Sequence, residues 1–555
     1  MSVKPLDWMR NRIEKTVDLT LASNDAWDKG DWLRTCSART LAWLYASSDG
    51  THRGSKSIAS ALRSLNAAMN KDYRGQPYGA LFNRSTVHLS EAYLILETAG
   101  EASLLPDARV HIEYGAKPLA EHLKNYRYLT RFASGNLGTG TNHVAVYCSA
   151  VYRAGCILKR DDWMELGLST IRRLAADQHP DGYYSETTPG PAMLYNTVTL
   201  AAIGRMAAWT GDTGLWVAAN RSARFHQRFC YPDGLDIETF DGRNRYSRHP
   251  HLSGEFIHSR TPDGRGYLAK KFETYDNTVQ TITPLHKGYT SETIALLTES
   301  IQYWADGKTT EPLCARRNYV ERMVEPAAVR RQGNWVASMQ GIVHLPRAWG
   351  SFTIERTGLF SVWNENTGLI INGSGAPWEN IGQTFKFPMA HQYDTIRYAT
   401  PESVSIDPGA AGSSDPAALS AEYRGGTGRV VIRFISDTEI EITAQAFARA
   451  DCYPIPFALQ LNLVEGEIVN GKTLGAAPFI LGRELNGRVE TPRWSLSFPP
   501  DSDATLQWPF DPYNPYDGVK HQSERSGYVP VLTFRLSPEP FALRITVNEK
   551  TVARS

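Results

Sequence analysis

Cysteine is scarce. There are six in 555 residues, at 36, 148, 156, 230, 314 and 452, with no CxxC and no paired spacing. That pattern excludes a scaffold stapled by disulfides and offers no thiolate metal site. Cys148 and Cys156 fall in an apolar helical pattern and read as small core residues. Charge of one sign is lacking too. Lys and Arg number 59 against 58 Asp and Glu, a net +1, so no bulk field draws the chain to nucleic acid or to an anionic membrane. No apolar run approaches the ~18 residues of a membrane span. The first residues, MSVKPLDWMRNRIEKTVDL, lack the charged start, apolar core and small-residue cleavage site of a secretory leader. The expected location is the cytoplasm, or outside it only if a leader has been removed. The glycine-rich GNLGTG (135–140) lacks the preceding strand of a dinucleotide site, and no cofactor is expected.

Aromatics, in contrast, are generous, with 14 Trp and 26 Tyr, and the length predicts two to four domains. Apolar residues recur at three and four in WLRTCSARTLAWLYA, SIASALRSLNAAM, VHLSEAYLILETAG, SAVYRAGCIL, AMLYNTVTLAAIGRMAAW and SETIALLTESIQYWA. Ten to twelve helices are expected before about residue 335. HPDGYYSET (179–187) and YPDGLDIET (231–239) each follow a helical stretch and lie 52 residues apart, about one helix–loop–helix unit. Stacked hairpins of this kind can close into an (α/α) toroid with the PDG loops on one face. The period changes near 345. GLFSVWNENTGLIING, RVVIRFISDTEIEITAQA, VLTFRLS and ALRITVNE alternate or are β-branched, while 405–428 reads as a loop-rich insertion. The expected architecture is an (α/α) toroid, an incomplete barrel, over 1–340, then an antiparallel β-sandwich over 341–555.

Four stretches can carry chemistry. In GTGTNHVAVYC, Thr141 is a good N-cap, which sets His143 in the first turn of a helix. The positive end of the helix dipole disfavours imidazolium there, leaving a proton acceptor near pH 7, with the Asn142 amide as a donor beside it. Capping the turn is the competing use of both. In HPDGYYSETTPGPAMLYN, Pro189-Gly190-Pro191 leads into a helix with Tyr195 in its first turns. A phenol can donate or remove a proton, whereas a tyrosine at this spacing can also simply pack. Tyr184 and Glu186 of the same stretch are candidates for binding sugar. The loop IETFDGRNRYSRHPHLSGEF gathers Arg243, Arg245, Arg248, His249 and His251. Its guanidinium forks suit a carboxylate, though a solvated, salt-bridged loop explains the charge equally well. His249-x-His251 with His258 lacks matching cysteine or carboxylate spacing, so no metal is expected. In FPMAHQYDTIRY, His391, Tyr393 and Arg397 open the β region and can face a substrate.

Taken together these stretches resemble the polysaccharide lyases built from an (α/α) toroid and an antiparallel β-sandwich, the group of alginate lyases, heparinase II/III-like enzymes and hyaluronate/chondroitin lyases. The Asn142-His143 pair is similar to the Asn-His of the alginate and heparinase-like members. DGYYSETTPGPAMLY is similar to their Asp-Gly…Glu…Tyr segment, with Tyr195 at the catalytic tyrosine; several members have His after that tyrosine, where this chain has Asn196. DGRNRYSRH resembles the arginine-bearing segment of hyaluronate-type lyases.

The resemblance implies β-elimination on a uronate-containing polysaccharide or oligosaccharide. A base removes the C5 proton, the C4 oxygen leaves and a C4–C5 double bond remains. Donors around the uronate carboxylate stabilise the enolate-like transition state. Asn142 supplies a donor, Arg243 or Arg245 the charge, and His249 and His391 further substrate contacts. With proton and leaving oxygen on opposite faces, His143 is the base and Tyr195 the acid; on one face, Tyr195 does both. Two rivals stand beside this. A glycoside hydrolase on the same toroid needs a carboxyl pair, for which Glu186, Glu238, Asp241 and Glu255 are available. A non-catalytic glycan-binding protein needs neither set.

Overall fold

In the computed structural model the described residues are 4–23, 31–47, 51–73, 82–125, 140–185, 190–242, 246–342, 358–374, 383–387, 399–448, 454–475, 477–510 and 529–548. They fall into two compact units. The first comprises Met1–Thr187, Leu194–Gln227 and Arg248–Pro312, and the second Thr188–Met193, Arg228–Ser247 and Leu313–Ser555.

The helices in chain order are α1 (Pro5–Ala22), α2 (Asp31–Ala46), α3 (Lys56–Tyr73), α4 (Phe82–Thr98), α5 (Ala108–Lys124), α6 (Thr141–Leu158), α7 (Asp161–Ala176), α8 (Met193–Thr210), α9 (Thr213–Arg228), α10 (Glu255–His258), α11 (Pro262–Thr278) and α12 (Thr290–Gln302). Apolar content sorts them. In α6 nearly every residue is buried, whereas α7 buries one stripe, Trp163, Gly167, Thr170, Ile171 and Leu174. The all-round-buried helices form an inner ring. α12 packs on α2, α2 on α4 and α4 on α6. Ser149 Oγ of α6 then reaches the Ala202 carbonyl of α8 at 3.5 Å, and Arg205 of α8 returns to Glu299 of α12. The amphipathic helices lie outside: α3 on α2, α5 on α4 and α6, α7 on α6, and α1 on α11 and α12. This is the (α/α) toroid. No helix among the described residues is long and apolar enough to cross a membrane.

Each inner helix contributes a polar group to one buried network. Arg39 of α2 sits 3.6 Å from Glu91 of α4 and 3.6 Å from Glu299, and donates to Gln302 Oε1 at 2.8 Å. Arg153 of α6 donates to Glu91 at 2.5 Å. Arg205 grips Glu299 with both arms of its fork, Nη2 to Oε2 at 2.8 Å and Nε to Oε1. Tyr303 donates to Glu91 at 3.1 Å and accepts from Trp209 Nε1 at 2.7 Å. Burial alone pushes the Glu299 carboxyl up, but Arg205 and Arg39 outweigh it and hold the group below the ordinary carboxylate range.

Strands occupy the second unit: β1 (Asn318–Arg322), β2 (Ala327–Gln332), β3 (Trp335–Gln340), β4 (Phe360–Asn364), β5 (Gly368–Asn372), β6 (Ser403–Asp407), β7 (Ala417–Tyr423), β8 (Gly426–Ser436), β9 (Glu439–Ala448), β10 (Ile455–Leu461), β11 (Ile468–Val469), β12 (Lys472–Thr473), β13 (Phe479–Leu481), β14 (Arg488–Glu490), β15 (Trp494–Ser497), β16 (Thr505–Phe510), β17 (Val529–Leu536) and β18 (Phe541–Val547). Nine form a sheet in the order β1-β2-β3-β4-β5-β10-β17-β16-β13, and seven a second in the order β14-β15-β18-β9-β8-β7-β6. All pairings are antiparallel. One hydrophobic cluster holds Trp335, Phe360 and Phe534 from the first sheet with Leu419, Ile442 and Ile545 from the second, which makes the pair a sandwich. In β9 the alternation is clean: Ile440, Ile442, Ala444 and Ala446 are buried, while Glu439, Glu441, Thr443 and Gln445 lie on the other, half-exposed face.

Two details differ from the sequence expectation. Strands begin at Asn318, ahead of the change of period near 345, because β2 and β3 are buried along almost their whole length and so show no alternation. Their polar look comes from two buried arginines. Arg330 donates to the carbonyls of Pro408, Ser413 and Asp415, and Arg331 to the Cys314 carbonyl and the Glu365 carboxylate. The stretch 405–428, expected as an insertion, is the β6–β7–β8 meander around a short loop that Arg330 holds.

Replacing Glu299 with Gln strands the Arg205 and Arg39 charges in the ring. The expected loss is about 3 kcal/mol in urea unfolding at pH 7. The wild-type contribution is present above about pH 4.5, the ordinary value, and disappears as pH falls through the depressed value of the folded state. A Gln variant as stable as wild type at pH 7 would show the network to be inert.

Candidate active site

The two PDG stretches fold alike. His179 N donates to the Tyr183 carbonyl at 3.1 Å and Gly182 N to the His179 carbonyl at 2.8 Å; Tyr231 N and Gly234 N make the same bonds to Leu235 and Tyr231, both at 2.8 Å. The glycine is required at each turn, with φ +102° at Gly182 and +81° at Gly234. At Gly182 a Cβ would also come within 2.5 Å of the Arg221 carbonyl oxygen.

The first turn delivers the chain to residues 183–185, which join the starts of α6 and α8. Thr141 Oγ1 donates to the Ser185 carbonyl at 2.9 Å, and Asn196 Oδ1 accepts the Tyr184 N–H at 2.9 Å. Thr141 is therefore not the N-cap of α6. Gly140 holds that position and, having no side chain, offers no cap, while the threonine hydroxyl bonds Ser185. Asn142 and His143 remain in the first turn, as expected. His143 is half-buried and stands edge-on to Tyr147, ring centres 6.3 Å apart. Asn142 is 1% exposed, and its carboxamide oxygen is buried with no hydrogen-bond partner.

Tyr195 is the third residue of α8, as His143 is of α6. The Ser149–Ala202 contact sets the helices side by side six residues beyond His143 and seven beyond Tyr195. With ~1.5 Å rise per residue the two side chains start at nearly the same level. Arg153 and Arg205 are each ten residues further on, so the charged network lies roughly 15 Å along the ring from them. The structure thus brings Asn142, His143 and Tyr195 to one end of two adjacent inner helices.

Other candidates are placed differently. Tyr184 is buried, and burial pushes its phenol well up. His249 is exposed and Arg248 and His251 are half-buried. His258 is a core histidine, 3.0 Å from Gln227 Nε2; burial, then Lys271 and His226, hold its pKa well below the ordinary value. The carboxylates are engaged. Glu255 accepts from Ser253 N at 2.8 Å and Lys271 Nζ at 3.2 Å. Asp241 accepts the Met193 N–H at 3.2 Å, capping α8. Glu238, 2% exposed, accepts from Gly373 N at 2.9 Å and Tyr231 OH at 2.8 Å. Burial pushes its carboxyl up to about 7, against those hydrogen bonds. Glu186, Arg243, Arg245, His391, Tyr393 and Arg397 lie outside the described residues.

Sequence reasoning missed what Asn196 does. Its oxygen is committed to Tyr184 N, so its amide group must donate, to His226 Nε2 at 2.9 Å and Ser222 Oγ at 3.2 Å. Accepting at Nε2 places the His226 ring proton on Nδ1. Asn196 thereby ties α8, α9 and the 183–185 segment together one residue from Tyr195. The only signal in the sequence was an unexpected Asn at this position.

No family model matches the chain, and no curated relative matches it. Among solved structures, the chondroitin AC lyase of Streptomyces coelicolor A3, in complex with chondroitin sulphate, is similar at 13% identity and TM-score 0.49, over 98% of this chain and 79% of that one. A heparan sulfate lyase of Pedobacter heparinus is similar at 10% and 0.46, over 97% and 82%. A chondroitin lyase that is a baculovirus envelope protein is similar at 10% and 0.48, over 98% and 82%.

Two variants probe these placements. Asn196→Ala leaves Tyr184 N–H and His226 Nε2 buried without their partner and is expected to cost about 1–3 kcal/mol in denaturant unfolding; no loss would mean that the segment is held otherwise. Glu238 has a folded-state pKa above its ordinary 4.5, so its own contribution to stability is fully present below about pH 4.5 and is lost as pH rises to about 7. Glu238→Gln is expected to flatten that decline and gain about 3 kcal/mol at pH 8. Parallel stability–pH curves for the two proteins would contradict the assignment.

Proposed function

We propose that the chain is a polysaccharide lyase that cleaves a uronate-containing glycan by β-elimination. The observation that carries the proposal is that Asn142 and His143 stand in the first turn of α6 and Tyr195 in the first turn of α8, two helix starts tied to one segment by the Thr141–Ser185 and Asn196–Tyr184 hydrogen bonds. These residue types cover the needs of the reaction. An amide donor neutralises charge growing on the uronate carboxylate, and an imidazole and a phenol move the protons at C5 and at the leaving oxygen. A hydrolase needs two carboxyl groups across the scissile bond. Among the described residues, the carboxylates considered for such a pair, Glu238, Asp241 and Glu255, are buried and bonded within the fold, which supports elimination over hydrolysis by a pair drawn from these three.

Tyr195→Phe tests the proposal. Turnover, followed by the absorbance of the unsaturated uronate near ~235 nm, is expected to fall about 10²–10⁴-fold while KM changes little. His143→Ala is expected to lower kcat as well. Unchanged kcat in both variants would remove this site from the reaction.

A further inference from the structure

Two thiols in the second unit are left unexplained by any elimination chemistry. Cys230 stands two residues beyond the end of α9, and Cys314 sits in the short 3-10 turn Leu313–Ala315 ahead of β1. They are 0% and 1% exposed, and their thiols hydrogen-bond to each other. Both are reduced in this structure.

The backbone on either side of each thiol is held. Arg228 donates to the Glu321 carboxylate of β1 at 2.6 Å and to the Arg322 carbonyl at 3.3 Å. Cys230 itself bridges Asp236 across the Pro232-Asp233-Gly234 turn, and Tyr231 OH meets Ser361 Oγ of β4 at 2.8 Å. On the other side the Cys314 carbonyl accepts from Arg331 Nη1 at 2.6 Å, and Arg331 is anchored by Glu365 at 2.7 Å. Tyr319 of β1 is buried close to both thiols. Two sulfurs within hydrogen-bonding reach of each other need only a short further approach to bond.

We propose that Cys230 and Cys314 are a disulfide-forming pair that closes under oxidising conditions and covalently joins the PDG turn at 232–234 to the start of the β-sandwich. The oxidant is a small disulfide such as oxidised glutathione. Its S–S bond breaks, one forms between the Sγ atoms of Cys230 and Cys314, and the two thiol protons leave on two molecules of reduced glutathione. Burial pushes the Cys230 thiol well up, and burial also shields both sulfurs. Exchange therefore proceeds during folding or through local opening, and the finished bond resists reduction in the closed state. Roughly 85 residues lie between the partners, a long loop whose closure restricts the unfolded chain.

The test equilibrates the whole protein with oxidised glutathione at a urea concentration just below its unfolding transition, quenches with acid, then alkylates under denaturing conditions and maps the peptides. The expected result is one cross-linked peptide pair, Cys230 with Cys314, ~2 Da lighter than the reduced pair. Oxidation is expected to raise Tm by about 5 °C, and Cys314→Ser is expected to abolish that rise. Recovery of both cysteines as alkylated thiols, or of Cys230 linked to any other cysteine, would overturn the proposal. The mapping uses the wild-type chain, so it decides even if a variant fails to fold, and it is independent of the lyase reading.

Discussion

Three guanidiniums and two carboxylates, one from each inner helix, have to find one another in the middle of the helical ring. Arg39, Arg153 and Arg205 carry three positive charges, and Glu91 and Glu299 two negative ones. Removing such groups from water is costly, and their attraction offsets that cost only with good geometry. The inner helices are thereby held at defined levels. A shift of α8 by one turn would move Arg205 ~5.4 Å from Glu299 and leave both charged and buried. The same shift would separate Tyr195 from the level of His143. The position of the candidate site at one end of α6 and α8 is thus inherited from a charge network some 15 Å further along them.

At the site end the constraint is finer and uncharged. Segment 183–185 is clasped by Thr141 on one helix and Asn196 on the other, and Gln178 holds the preceding turn through the Gly182 carbonyl at 2.7 Å. Neutral hydrogen bonds place the first turns of both helices and leave the Asn142 carboxamide oxygen unspent. The second unit treats buried polarity similarly. Glu238 is enclosed by hydroxyl and amide donors, and Arg330 by backbone carbonyls. A buried group that is fully bonded stabilises one arrangement, whereas a half-bonded one is either strained or kept for a ligand.

Much of the architecture was legible in the sequence, because the helical and β periods are strong where one face meets solvent. The α7 stripe, the β9 alternation and the paired PDG turns are of that kind. Legibility failed where burial was two-sided. β2 and β3 carry no alternation, and Arg330-Arg331 read as surface charge although the chain folds carbonyls around them. At the site, Asn142, His143 and Tyr195 were recognisable from their places near helix starts. Thr141 read as a cap because nothing local reveals that Ser185, 44 residues on, claims its hydroxyl. The inner-ring network was invisible for the same reason: its members are spaced about fifty or more residues apart, and each alone reads as an ordinary charged helical residue.

The central claim is elimination at the end of α6 and α8, and the mass balance of the products tests it most directly. The wild-type protein is incubated with uronate polymers and oligomers in water enriched in ¹⁸O, and the products are weighed. Elimination predicts that fragment masses sum to that of the substrate, with no ¹⁸O incorporated and one fragment carrying a C4–C5 double bond. Fragments heavier by one water, with ¹⁸O at the new reducing end, would contradict the account and identify hydrolysis.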